Sequence, residues 1–334
     1  MKKCNIGGQG VLEGVMMRAP SMSGLAVRKT TGHIVFEKQS VSSLTKQNKF
    51  FGLPIVRGVV SFVEMLSFGV KTISQSAKLY DDMADTEPTR LEKYIAKKSG
   101  KDAMDIAMVI AVLASIGLAV GIFFILPSVL TSLVLQKGTP SFLMNLAEGG
   151  FRLLLFFLYV FGISFIKDIR RVFMYHGAEH KTINCYEHEQ PLTVQNIQKY
   201  KTLHPRCGTS YLLLVMVISI LLFSLLGWSP AWYLRIGLRL LMLPFVAGIA
   251  YEFLKFAAKS DALFFRIIRW PGLMLQKLTT AQPDDSMVEV AIVAFKAAMD
   301  ETSEEELSSL AQSFYREPQK KKVKAEAAAN EAAQ

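Results

Sequence analysis

Along this chain, uncharged apolar blocks alternate with short segments in which lysine and arginine cluster. The block 106–135 holds no charged residue, and about 20 apolar residues are enough to cross a bilayer as a helix. Pro127 is placed to kink or end that first span. A second span is predicted over 147–166, where Glu148 and Arg152, four apart near its outer end, can pair on one helix face and reach the interface. A third covers 209–228 and stops near Gly227 and Pro230; a fourth, 236–253, has Arg239 near one end and Glu252 near the other. Outside these blocks the period changes. Residues 25–41 alternate apolar and polar positions around Thr31-Gly32, which predicts a small β-hairpin. Residues 54–80 repeat Val59, Phe62, Val63, Leu66, Val70 and Ile73 at helical spacing with Arg57, Glu64 and Lys71 interspersed, an amphipathic helix packed on the bundle or lying in the interface. Residues 263–278, interrupted by Pro271-Gly272, read as another interfacial segment. Pro283-Asp284-Asp285-Ser286 resembles a cap before a helix over 287–299, and 303–315 adds a short helix. The lysine-rich tail beyond Pro318 is expected to be disordered.

Composition agrees with the membrane reading, because 51% hydrophobic residues and a mean hydropathy of +0.29 are too apolar for a soluble enzyme of 334 residues. The net charge of +10 comes from loops and ends, and it sets an orientation. Lys93, Lys97, Lys98 and Lys101 precede the first span; Lys167, Arg170, Arg171, Lys181, Lys199, Lys201 and Arg206 lie between the second and third; Lys255, Lys259, Arg266 and Arg269 follow the fourth. The connections holding Lys137 and Arg235 are poor in basic residues and read as external. The expected protein is therefore mainly α and multi-pass, with about four transmembrane helices and both termini in the cytoplasm. The expected divisions are an N-terminal region, 1–105, with glycine-rich motif, hairpin and amphipathic helix; a membrane region, 106–260, including a cytoplasmic His/Cys-rich loop, 167–208; C-terminal cytoplasmic segments, 261–315; and a basic tail, 316–334. Residues 1–18 lack the apolar run of a cleavable signal peptide.

Candidate chemistry is concentrated in that loop. Four of the five histidines, His176, His180, His188 and His204, fall there together with Cys185 and Cys207. Three cysteines in the whole chain make no disulfide framework and suit a reducing compartment or a metal. In His176-Gly177-Ala178-Glu179-His180 the imidazoles are four apart, on one face of a helix, with a carboxylate beside the second, the H-x-x-E-H pattern of inverted zincins. Two ring nitrogens on adjacent turns can hold one zinc, or another divalent transition metal, while Glu179 deprotonates or orients its water. Gly177 is a poor residue for a helix interior. His204-Pro205-Arg206-Cys207 supplies a second compact pair of ligands. A closed site built from His180, Cys185, His204 and Cys207 would staple the loop, whereas an open one built from His176, His180 and one of Glu187, His204 or Cys207 leaves room for water. His188 reads as a cap or a solvent-facing residue. The glycines of Gly7-Gly8-Gln9-Gly10 lack the lysine and serine of a phosphate loop and read as close-packing positions, while Glu13 and Arg18 reach towards the His-rich segment as supporting charges. Glu252 is a further carboxylate that can approach it, or face water at the interface.

The run from Gly7 to Arg18, the run from Tyr175 to Glu187, His204 to Ser210, and Leu278 to Val290 together resemble the bacterial membrane family known as domain of unknown function 1385. The resemblance covers residues 4 to 300 or so; it implies a predicted metal-dependent enzyme of the bacterial inner membrane, and no substrate. Ala and Ile are usual where Gly10 and Leu12 stand here. Three classes of function follow: a metal-dependent hydrolase acting on membrane lipid, a lipid-linked compound or a membrane peptide; a noncatalytic factor with structural zinc that docks insertion machinery or a ribosome through its basic ends; and, behind these, a transporter. No sequence-specific nucleic-acid binding is expected.

Overall fold

The predicted hairpin forms: strand β3, Met22–Arg28, pairs antiparallel with β4, Ile34–Ser40, through a turn at Gly32. The structure, a computed structural model, describes residues 6–80, 103–136, 138–205, 207–229, 231–257 and 263–317. Lys93, Lys97, Lys98, Lys101, Lys137, Arg206, Pro230, Lys259 and the tail from Pro318 lie outside the described residues, as do the side chains of Arg266 and Arg269. The sheet is larger than the alternating pattern indicates. Strands β1, Gly7–Val11, and β2, Gly14–Arg18, precede the hairpin, and all four strands run antiparallel in the order β1-β2-β3-β4. β1 carries three glycines, so it has no alternation to read.

The helices are α1, Leu44–Gln47; α2, Val56–Leu79; α3, Ala103–Val120; α4, Leu126–Val134; α5, Ser141–Ile163; α6, Lys167–Glu187; α7, Val194–Gln198; α8, Gly208–Ser224; α9, Trp232–Ala257; α10, Leu263–Thr279; α11, Asp285–Met299; and α12, Glu304–Ser313. Alternation along the strands sends their side chains into two cores. Val15, Met17 and Ala26 pack with α6 and α11, whereas Val11, Met16, Leu25 and Val27 pack with Phe68 and Leu79 of α2. The sheet is thus the middle of three layers. α11 is apolar on nearly every face because it is enclosed by the sheet, α6 and α7. The Asp284 side chain caps it by accepting from Met287 N–H, and Ser303 with Glu306 forms a capping box on α12. Glu289 of α11 ties Arg28 of β3, at 2.7 Å, to Arg316 beyond α12, at 2.6 Å. The first and last parts of the chain therefore share one core.

Among the described residues three helical stretches are long and apolar enough to cross a membrane: Val109–Val134, Ser141–Ile163 and Trp232–Phe256. The third expected span is α8, whose 17 residues rise about 25 Å against about 30 Å of hydrocarbon. Pro127 does not end the first span; a π-helical turn, Gly121–Ile125, precedes it and α4 continues to Val134. α5 begins six residues ahead of the expected span, which moves Glu148 and Arg152 inside it. The two do pair, at 2.8 Å, but at 1% and 5% exposure they are buried rather than interfacial. Arg239 of α9 bonds the same carboxylate, so one buried anion serves guanidiniums from two helices. Arg235, expected in a turn, lies within α9 and is buried. The amphipathic helix α2 packs on the bundle: Gly58 meets Gly248 backbone to backbone, and Arg57 forms a bidentate pair with Glu252. Pro271 sits inside a continuous α10.

Candidate metal centre

The segment expected as a loop is mostly helix. α6 spans 21 residues and places His176 and His180 on one face, ring centroids 4.4 Å apart, while Cys207 comes to them as the N-cap residue of α8. A β-carbon at Gly177 would lie 2.1 Å from the Ala281 carbonyl oxygen, so glycine lets the chain after α10 pass against α6. The glycine that looked misplaced in a helix is thus what brings Thr279 to the site.

One ligating atom from each of His176, His180 and Cys207 lies within 4.8 Å of the others. His176 Nδ1 meets the Thr279 carbonyl at 3.0 Å and His180 Nδ1 meets that of Thr202. A carbonyl only accepts, so each Nδ1 carries the proton and each Nε2 keeps its lone pair for a metal. His176 Nε2 is 3.2 Å from Cys207 Sγ. The Thr209 hydroxyl donates to that sulfur at 3.2 Å and opposes the burial that raises the thiol's pKa. Burial holds His180 well below the usual histidine range, hence neutral, and His176 pushes it the same way.

Glu179 completes the arrangement. Its Oε2 lies 3.7 Å from His176 Nε2 and 3.6 Å from His180 Nε2, is buried, and has no hydrogen-bond partner. Burial pushes this carboxyl up to about 8, against the His176 ring and the Gly8 backbone N–H that donates to it. A β-carbon at Gly8 would stand 2.2 Å from the Met16 carbonyl oxygen and 3.1 Å from Glu179 Cγ. The opening glycine motif is therefore a wall of the site, with β1 lying directly on α6.

His204 stands beside His180, ring centroids 5.7 Å apart, with Nε2 3.5 Å from Glu187 Oε2. Its backbone N–H donates to Gln276 Oε1 at 2.9 Å and its carbonyl accepts from Gln276 Nε2 at 2.8 Å. Cys185 is buried in the main core, its thiol turned to the carbonyls of Gln190 and Pro191. His188 caps α6 through the Asn184 carbonyl. Glu13, in the β1–β2 turn, binds Arg171 and accepts from the Tyr175 hydroxyl at 3.2 Å, fixing α6 one turn before His176. Arg18 lies 5.2 Å over the Phe68 ring of α2, and Glu252 is held by Arg57; neither joins the cluster. Sequence reasoning had no sign of the Thr202 and Thr279 carbonyls or of Gln276. Thr209, two residues after Cys207, could have been found from its position.

The family model described as "Protein of unknown function (DUF1385)" matches residues 53–301. "Uncharacterized protein YqhQ" of Bacillus subtilis (strain 168) is 36% identical over 294 residues, which cover 86% of this chain and 90% of that protein. No solved structure matches the chain.

Proposed function

The chain belongs to the DUF1385 family, and from that premise we propose a membrane-anchored metal-dependent hydrolase with His176, His180 and Cys207 as ligands and Glu179 as general base. The observation that carries this reading is the buried, unpartnered Glu179 Oε2 aimed between two imidazole nitrogens. An orphaned carboxylate oxygen is costly unless water or a cation completes it. Nitrogen and sulfur donors fit zinc, and three protein ligands with one open position are the pattern of catalytic sites. When bound, such an ion supplies Lewis acidity that acidifies water and polarises a carbonyl or phosphoryl oxygen. Glu179 then accepts the proton of the attacking water and returns it to the leaving group. Thr202 and Thr279 hold the imidazole tautomers, and the N-terminus of α8 with Thr209 favours thiolate at Cys207. Four spans, with α8 as the short third one, would place this centre and both termini at the cytoplasmic face of a bacterial inner membrane. Membrane lipids, lipid-linked compounds or membrane peptides are the substrates within reach there.

A second reading is favoured by the burial of His180 and Glu179, at 1% and 3% exposure, which narrows the approach. In that reading zinc staples α6 to α8 and the basic ends dock a membrane or ribosomal partner. Purified wild type should hold about one zinc per chain and His180→Ala should lose it. Glu179→Gln should keep fold and metal yet fail to complement a deletion, since a general base supplies about 10²–10⁴-fold in rate. Full complementation by Glu179→Gln at normal abundance would put the structural reading ahead; wild type without metal would end both.

A further inference from the structure

The end of the helix bundle remote from the metal centre holds a second cluster of charge. Cys207 caps one end of α8 and Phe223 stands at the other, about 25 Å away along 17 residues. There Arg152, Arg239 and Arg235, 5%, 3% and 8% exposed, gather around one carboxylate, that of Glu148, which bonds the first two. Arg152 donates to Glu148 Oε1 at 2.8 Å, and its Nε–H donates at 2.8 Å to the Phe123 carbonyl of the π-helical turn. Arg239 donates to the same Oε1 and to Asn145 Oδ1 at 2.7 Å. Arg235 bonds only neutral oxygens, the Ser229 carbonyl at 2.8 Å and Ser128 Oγ at 2.9 Å, and stacks 4.1 Å over Trp228. Phe223 lies under both Arg152 and Arg239, at 5.6 and 5.8 Å.

Arginine stays protonated, so among the described residues three guanidiniums around one carboxylate leave two positive charges in excess. Aromatic faces offset part of that, but a membrane interior tolerates net charge poorly. Two atoms of the cluster are also buried without a partner: Arg235 Nε, a donor, and Glu148 Oε2, an acceptor. Trp232 and Tyr233, 59% and 61% exposed, precede Arg235 by less than a turn and mark headgroup depth.

We propose that this cluster binds a phosphate group that also carries a hydroxyl. The phosphate oxygens accept from Arg235 Nε–H and balance the excess charge; the hydroxyl donates to Glu148 Oε2. Hydrogen phosphate and the headgroup of a glycerol-bearing anionic lipid both have this chemistry. The site is independent of the metal reading, since it shares no residue with that centre.

Full-length protein in nanodiscs of mixed phosphatidylglycerol and phosphatidylcholine, analysed by native mass spectrometry, tests the lipid source. Equilibrium dialysis of delipidated protein in detergent against labelled inorganic phosphate tests the free ion. Wild type should retain about one phosphatidylglycerol, or one phosphate, per chain in preference to phosphatidylcholine. Arg235→Gln should weaken that binding about tenfold or more, the loss expected for a charge-assisted bond, while Lys277→Gln on α10 leaves it unchanged. Failure of wild type to retain either probe above the phosphatidylcholine level overturns the proposal, and needs no variant to fold. Equal retention by a folded Arg235→Gln overturns it as well.

Discussion

A single methyl group at position 177 would stand 2.1 Å from a backbone oxygen of the chain leaving α10, where no flexible side chain can give way. Gly177→Ala should therefore destabilise the protein by about 1–3 kcal/mol through overpacking, although alanine gains about 1 kcal/mol of helix propensity over glycine. Thermal unfolding in detergent reads the first effect, and zinc content reads the displacement of Thr279 from His176; an unchanged midpoint would mean that the backbone yields freely. The same position shows what the sequence could and could not say at this scale. Spacing alone placed His176 and His180 on one face with Glu179 beside them, because 3.6-residue periodicity is a local property. It could not identify Thr279 and Thr202, which contribute only carbonyl oxygens, groups every residue has. Nor could it send Cys185 into the core and Cys207 to the site, since both are equally plausible thiols until α8 fixes where each one points.

At the scale of elements, α2 is held to α9 by Gly58 against Gly248 and by the Arg57–Glu252 pair. Arg57→Glu and Glu252→Arg should each lower the unfolding midpoint, and the double exchange should restore most of it; no recovery in the double variant would show that the pair does not join the helices. The cap of α12 is a simpler case. Ser303→Ala removes the side-chain acceptor for the Glu306 N–H and should cost about 1 kcal/mol, measurable as earlier local proteolysis near residue 310. Helices with strong periodicity or strong caps, such as α2, α11 and α12, were legible in advance. α6 was legible only over 176–180, where the histidines stand at helical spacing; its polar and charged residues gave no sign of the full length from Lys167 to Glu187, which the sheet and α11 bury. β1 was missed for the opposite reason: glycine has no side chain with which to alternate, and it is there because α6 must lie against the strand.

For the whole molecule, the proposed topology places 167–208 in the cytoplasm, so Lys199→Cys should react with an impermeant maleimide only after cells are permeabilised; labelling of intact cells would invert or break the four-span arrangement. A chain ending at Gln282 keeps His176, His180 and Cys207 yet lacks α11, and it should hold little zinc and accumulate poorly. Normal zinc in that truncated chain would show that the centre assembles without the core. The dependence of the sheet on α11 also has a consequence in time. About 245 residues separate the end of β4 from the start of α11, which at bacterial synthesis rates is on the order of tens of seconds. Throughout that interval Val15, Met17 and Ala26 lack α11, and α6 is the one of their two covering helices that is made before it. The core around α11 can therefore close only after all three of the long apolar stretches have been synthesised.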